Sequence, residues 1–262
     1  ADDHFNTVLY SGNQSGGHAI TGVGFQPDWV WIKSRSETKD HVIQDSSRGV
    51  DKRLSSNSTS AERTDSPDDF DSFDSDGFTL GANTETNKSS QTYVAWNWKA
   101  NGGTTSSNTD GSITSTVQAN TTAGFSIVLY TGTGASNATI GHGLGAVPKQ
   151  IWVKNRDAAY NWKVYHAENT SAPETDYLVL DTTDATVDSN THWNDTVPTS
   201  TVFSIGSSNA LIRSGDNFVA YCFAEVEGYS KFGSYTGNGN ADGVFVFTGF
   251  RPAWIMTKET SA

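Results

Sequence analysis

The sequence carries one cysteine, one methionine, six prolines and eight leucines in 262 residues. Each shortage excludes something. Cys222 alone cannot close an internal disulfide, and no Cys/His spacing suits a structural zinc. Leucine, a strong helix former, is scarce beside 31 Ser, 32 Thr and 19 Asn. That balance excludes a helical bundle, a coiled coil and a doubly wound α/β fold. No stretch approaches the ~18 continuous apolar residues of a membrane helix. Positive charge is short as well: 17 Lys+Arg face 29 Asp+Glu, a formal charge of −12. Such a chain repels phosphate backbones and anionic headgroups, so neither nucleic acid nor membrane insertion is expected. Residues 1–6 hold no basic or apolar run and do not read as a signal peptide. Position 1 is Ala rather than Met, which leads to the expectation that the chain is processed or cut from something longer.

What is present is aromatic and repeated. Aromatic residues make up 11% of the chain, enough for a core of Trp, Tyr, Phe, Val and Ile. Self-comparison aligns GVGFQPDWVWIKSR at 22–35, GLGAVPKQIWVKNR at 143–156 and GFRPAWIMTK at 249–258. Pro27, Pro148 and Pro252 coincide, as do Lys33, Lys154 and Lys258. Upstream lie LYSG at 9–12, LYTG at 129–132 and SYTG at 234–237, with Tyr-to-Pro spacings of 17, 18 and 17 residues. The first two copies also share a second half. Phe78–Gly81 matches Phe203–Gly206, and twelve residues past each Gly begin Tyr93–Trp98 and Phe218–Phe223. The third copy stops at Ala262 before any second half, so further repeats are expected beyond it.

The Pro-led runs 29–33 and 150–154 read as strands, because Pro suits a strand entrance and β-branched and aromatic residues suit the pleat. Residues 113–119 alternate and turn into 125–130, a hairpin that opens the second copy. Residues 162–166 and 177–180 read as further strands, 101–112 as a linker and 58–64 as a short helix. The expected fold is all-β: tandem antiparallel β-sandwich units, jelly-roll-like, over 1–103 and 104–228, with 229–262 as the strand-rich start of a truncated third repeat. The lysines Lys33, Lys154 and Lys258 are expected at strand ends, solvated or paired with acids.

The segments at 141–156, 162–170 and 218–258 resemble a tandem β-repeat family of virion proteins from marine bacteriophages, notably those of cyanobacteria and other ocean bacteria. The likeness runs over about 124–258 and weakens over 4–100, where 40–76 departs. The resemblance implies a structural or tail-fibre module in a virion or extracellular setting. It implies other virion proteins and further copies of the chain as partners, with a homotrimer favoured, and a host-surface glycan as a candidate receptor. It supplies no catalytic residue, so no enzymatic activity and no cofactor are expected. The competing class is a carbohydrate-binding or glycan-depolymerising ectodomain of a bacterial surface protein.

Candidate chemistry is sparse. None of the six histidines recurs between copies, and none sits in an HExxH or beside a Gly-x-Ser-x-Gly elbow. The glycines at 132–134 and 141–145 precede a Pro and a strand rather than a helix, so they read as turns and not a phosphate loop. Asp157, Glu168, Asp176 and Asp181 lie near aromatic strands, where a glycosidase would need a facing pair of carboxylates. The acidic stretch 65–77 offers Asp71, Asp74 and Asp76 before a Gly as candidate calcium ligands, without the spacing of an EF-hand. Tyr160, Trp162, His192 and Trp193 sit in polar, turn-rich surroundings and are the candidate binding aromatics. Packing in the core is the alternative for Trp162 and Trp193.

Overall fold

The first repeat forms seven strands: β1 (Phe5–Ser11), β2 (His18–Thr21), β3 (Trp29–Ser34), β4 (Val42–Asp45), β5 (Ser72–Asp74), β6 (Gly77–Leu80) and β7 (Thr92–Trp98). The second forms β8 (Ser106–Asn108), β9 (Ser115–Asn120), β10 (Phe125–Thr131), β11 (Ala138–Gly141), β12 (Pro148–Asn155), β13 (Lys163–His166), β14 (Asp176–Val179), β15 (Val187–Asp188), β16 (Val202–Ile205) and β17 (Asn217–Ala224). This computed structural model describes residues 3–64 and 69–261. Two one-turn helices, α1 (Asn190–Trp193) and α2 (Asn209–Ile212), are its only α-helices among the described residues. The all-β, antiparallel sandwich architecture read from the sequence is the one observed.

The repeat is visible in the pairing. The first main sheet runs β1-β7-β3-β4, and the same order recurs as β10-β17-β12-β13 inside an eight-stranded sheet, β15-β14-β13-β12-β17-β10-β9-β8. Registers match as well: Tyr10 opposes Tyr93, and Tyr130 opposes Phe218. A small sheet covers one face of each main sheet, β2-β6-β5 in the first unit and β11-β16 in the second. Pro148 starts β12 and a bulge follows before Gln150, the irregularity a residue without an N–H imposes.

Period-2 alternation sorts the side chains into layers. Val30 and Ile32 point toward the small sheet and join Ile20, Phe78 and Leu80 in the core of the first unit. Ile151 and Val153 do the same in the second, with Ile140, Phe203 and Ile205. The opposite faces of the two main sheets meet each other. Trp29, Trp31 and Trp98 pack there with Phe125, Trp152, Trp162 and Tyr221 in one apolar cluster built from both repeats. Trp29 lies at its centre, with ring centroids 4.5 Å from Trp98, 4.9 Å from Tyr221 and 5.7 Å from Phe125 and Trp152. Trp29 and Ile32 are therefore both core residues, but in different cores.

Three expectations need correction. Residues 58–64 hold no helix; Arg53 and Arg63 pair there as an isolated bridge. The stretch 101–112 is no free linker. Its residues 106–108 form edge strand β8, and its start is held by hydrogen bonds described below. The strands expected in the third copy do not form: residues 231–261 contain none. The pairing explains why. In both complete units, strands β1, β2 and β3, and their equivalents β10, β11 and β12, lean on second-half strands β6 and β7 or β16 and β17. Among the described residues, 229–261 have no second-half strands of their own to pair with.

Candidate functional site

The structure buries three of the four candidate binding aromatics. Trp162 is fully buried between the repeats, and its indole N–H donates to the Ser55 carbonyl at 2.9 Å. Trp193 lies in the core of the second unit, with its ring edge-on to Tyr165. His192 is buried and stacks on Tyr177 at 3.7 Å, while Lys163 Nζ sits 4.2 Å from the centre of the same ring. Burial, with the nearby Lys163 charge, lowers the His192 pKa to about 3. Tyr160 alone is half-exposed. These four residues form no shared binding face. The polar, turn-rich sequence around them is the wall of a core that is completed by distant strands.

The acidic loop is likewise spent on architecture. Asp71 accepts from the Gly17 N–H, and Asp74 accepts from the Ser72 and Thr79 hydroxyls. Asp76 accepts from the Gly22 and Gly24 N–H groups. Each of the three carboxylates holds its own partners and they do not converge, and the first residues of the acidic stretch, 65–68, lie outside the described residues. Among the described residues no group of three or more His, Cys, Asp or Glu side chains is placed to hold a metal ion. The carboxylates of the second copy behave alike. Asp157 accepts from the Asn217 backbone, Asp181 from Trp162 N and Asn161, and Asp176 from the Thr170 hydroxyl, while Glu168 is exposed.

The most developed polar constellation joins the two repeats. Arg48 is buried and pairs with Asp45 and Glu62, and Asp45 also accepts from the Tyr221 hydroxyl at 2.6 Å. Arg156 of the second repeat holds Glu62 with two bonds of 2.8 Å. Burial alone would raise the Glu62 pKa, yet Arg156 and Arg48 hold it below the usual carboxylate range. Burial would likewise lower the Arg48 pKa, and the Asp45 and Glu62 carboxylates beside it keep it raised. Every member is paired, as a buried ionic network requires if it is not to destabilise the fold. Asp28 anchors the start of the inter-repeat segment. Its carboxylate accepts from Ala100, Gly102 and Gly103 N–H groups and the Ser46 hydroxyl at 2.7–2.9 Å. Burial raises its pKa despite those bonds. Gln118 from the second repeat binds the Gly103 N–H and donates to Ser46 and Ser47.

The repeated lysines pair with carbonyls rather than acids. Lys154 is fully buried and donates to the carbonyls of Thr59 and Asn155, and burial lowers its pKa to about 8. Lys33 donates to the Ser34 carbonyl, and Lys258 to those of Thr182 and Asp184. Sequence reading missed the inter-repeat seam. Its available signal was the concentration of Arg48, Arg53 and Glu62 in the one section, 40–76, where the copies diverge.

Two surfaces remain open. One is a shallow groove of about 270 Å³ on the second main sheet, lined by hydroxyls of Thr114, Thr116 and Thr131 with Leu129, Arg156 and Asn217. It contains no carboxylate and no histidine. The other is the C-terminal segment, where Tyr235, Phe245, Phe247 and Ile255 are all exposed by more than half.

The fold and these surfaces define a class: a two-unit, antiparallel β-sandwich repeat protein whose buried charges join its units. The chain belongs to the family described as a domain of unknown function, DUF7483, whose model matches residues 1–262. No curated protein and no solved structure matches the chain.

Proposed function

We propose that this chain is a non-enzymatic structural module of a virion appendage, a tail fibre or similar fibre, that acts outside the cell. It works by assembly with further copies of itself, as a homotrimer, and with other virion proteins. The observation that carries this reading is where the charged side chains go. Arg48, Asp45, Glu62 and Arg156, the residues best placed for chemistry, instead weld one repeat to the next. Trp162, one of the candidate ligand-gripping aromatics, fills the same seam. Such a module resists dissociation of its units without disulfides, which suits a particle component exposed to dilution. Electron microscopy of particles labelled with an antibody against the chain tests it: decoration of an appendage is expected, and particles without the protein would end the proposal. Sedimentation is expected to give a trimer.

A second reading rests on the threonine-lined groove. Hydroxyls, an amide and a guanidinium beside an apolar Leu129 suit the hydroxyl-rich faces of a host-surface glycan. A glycan array reads out such binding, and new reducing ends after incubation with host polysaccharide would reveal depolymerisation.

A further inference from the structure

We propose that His41 is an acid-operated latch between the two repeats, closed while its imidazole is neutral and opened when the ring takes up a proton. The device stands on the seam alone and does not depend on where the chain works.

His41 touches both halves of the contact between the repeats. Trp31 belongs to the shared aromatic cluster and meets Trp152 of the second repeat edge-on, with ring centroids 5.8 Å apart. Its indole N–H donates to His41 Nδ1 at 2.8 Å. An indole nitrogen can only donate, so Nδ1 is the bare nitrogen of a neutral ring whose proton sits on Nε2. The backbone of His41 anchors the loop that clasps the second repeat. Its N–H donates to the Asn57 side-chain oxygen at 2.9 Å, and the Asn57 amide donates to Asp40 at 2.8 Å. On either side of Asn57, the Ser55 carbonyl accepts from the Trp162 indole at 2.9 Å and the Thr59 carbonyl from Lys154 at 3.1 Å. Both donors belong to the second repeat. A little further on, the Glu62 N–H donates to the Arg156 carbonyl at 2.7 Å, a backbone bond across the seam.

A second ring proton would sit on Nδ1 and point at the Trp31 N–H, so the closed seam refuses it. The charges facing the ring are Lys33 from β3, which opposes a positive imidazole, and Asp40 beside it, which favours one and is already bound by Asn57. Burial and Lys33 prevail over Asp40 and lower the His41 pKa to about 4. When the seam opens, the ring regains its ordinary 6.5 and takes up the proton. Acid therefore favours the open form, and the ratio of open to closed rises about twentyfold from pH 7 to pH 5. The ionic part of the seam does not respond first. Burial would raise the Glu62 pKa, but Arg156 and Arg48 hold it below the usual carboxylate range, so Glu62 keeps its charge while His41 turns.

The test follows hydrogen exchange in the full chain by NMR between pH 7 and pH 5, with each rate divided by its intrinsic value at that pH. Protection of the Trp31 and Trp162 indole N–H groups and of the Glu62 amide is expected to fall about twentyfold. His41→Gln offers Trp31 an acceptor that acid does not remove, so its protection should stay level over the same range. His192 is present in both proteins, and its own acid response cancels in the comparison. An equal fall in parent and variant assigns the response to another group and overturns the proposal, as does protection in the parent that does not fall. The ring supplies a second measurement that needs no variant. Its nitrogen shifts should show a neutral imidazole protonated on Nε2 at pH 7, and the Trp31 indole signal should move with the ring at one midpoint, near pH 4. A midpoint near 6.5, or an indole signal that ignores the ring, overturns the proposal.

Discussion

Gly132 and His192 show how single residues answer to the packing around them. Alanine at Gly132 would drive its Cβ into the Arg213 carbonyl, a backbone atom that cannot swing aside. Gly132→Ala should therefore destabilise the chain by roughly 1–3 kcal/mol, the usual range for overpacking. Gly237→Ala, in the same motif but facing open space, should stay within about 0.5 kcal/mol in chemical denaturation. His192 makes the fold sensitive to acid. Its folded pKa of about 3 lies below its ordinary 6.5, so as pH falls through 6.5 the unfolded chain takes up a proton that the folded chain refuses. Stability drops by about 1.4 kcal/mol per pH unit from this group, and the loss levels off only near its folded pKa. His192→Phe keeps the stack on Tyr177 and should flatten the stability profile between pH 6.5 and 4.5 by about 2 kcal/mol relative to the parent. Equal slopes for the two proteins in urea titrations would contradict this.

At the scale of elements, Asp28 decides the path between the repeats. The backbone N–H groups of Ala100, Gly102 and Gly103 end on its carboxylate, so a glycine-rich stretch becomes an ordered corner that delivers β8 to the edge of the second sheet. Asp28→Ala leaves the Ala100 and Gly102 donors without a partner, while Gly103 keeps Gln118; at ~1–3 kcal/mol for each donor that water does not reach, a loss of about 2 kcal/mol or more is expected. Amide exchange at Gly102 and Gly103 should accelerate in the variant before that of β7 does. Loss of stability without faster exchange at these glycines would show that the corner is held by something else.

For the whole molecule, the shared aromatic cluster predicts that the repeats do not unfold independently. Each main sheet has one face inside its own unit and one face against its neighbour, so unfolding either unit exposes the other. Among the described residues the buried indole N–H groups of Trp29 and Trp152 have no hydrogen-bond partner in this cluster. Calorimetry should show one transition, with equal calorimetric and van't Hoff enthalpies. Trp29→Ala should cost about 3–5 kcal/mol and split the transition in two. Two transitions in the parent chain would mean that the seam contributes little coupling.

The sequence by itself determined the strand class and the repeat. Leucine scarcity, Pro-led apolar runs and period-2 alternation are local signals, and β3 and β12 form where those signals place them. It also determined which glycines and tyrosines recur, since each position serves a contact made inside one unit. Only the tertiary structure decided what lies between units. Trp29 and Ile32 look alike in a continuous apolar strand, yet one faces the neighbouring repeat and the other its own small sheet. For Trp162 and Trp193 the sequence left binding and core packing both open, because the strands that bury them come from far along the chain. The partnership of Arg48 and Glu62 with Arg156 crosses the seam and leaves no repeated spacing to find. The unpaired third copy follows from the same physics: a strand pattern is local, whereas the ladder that makes it a strand is not.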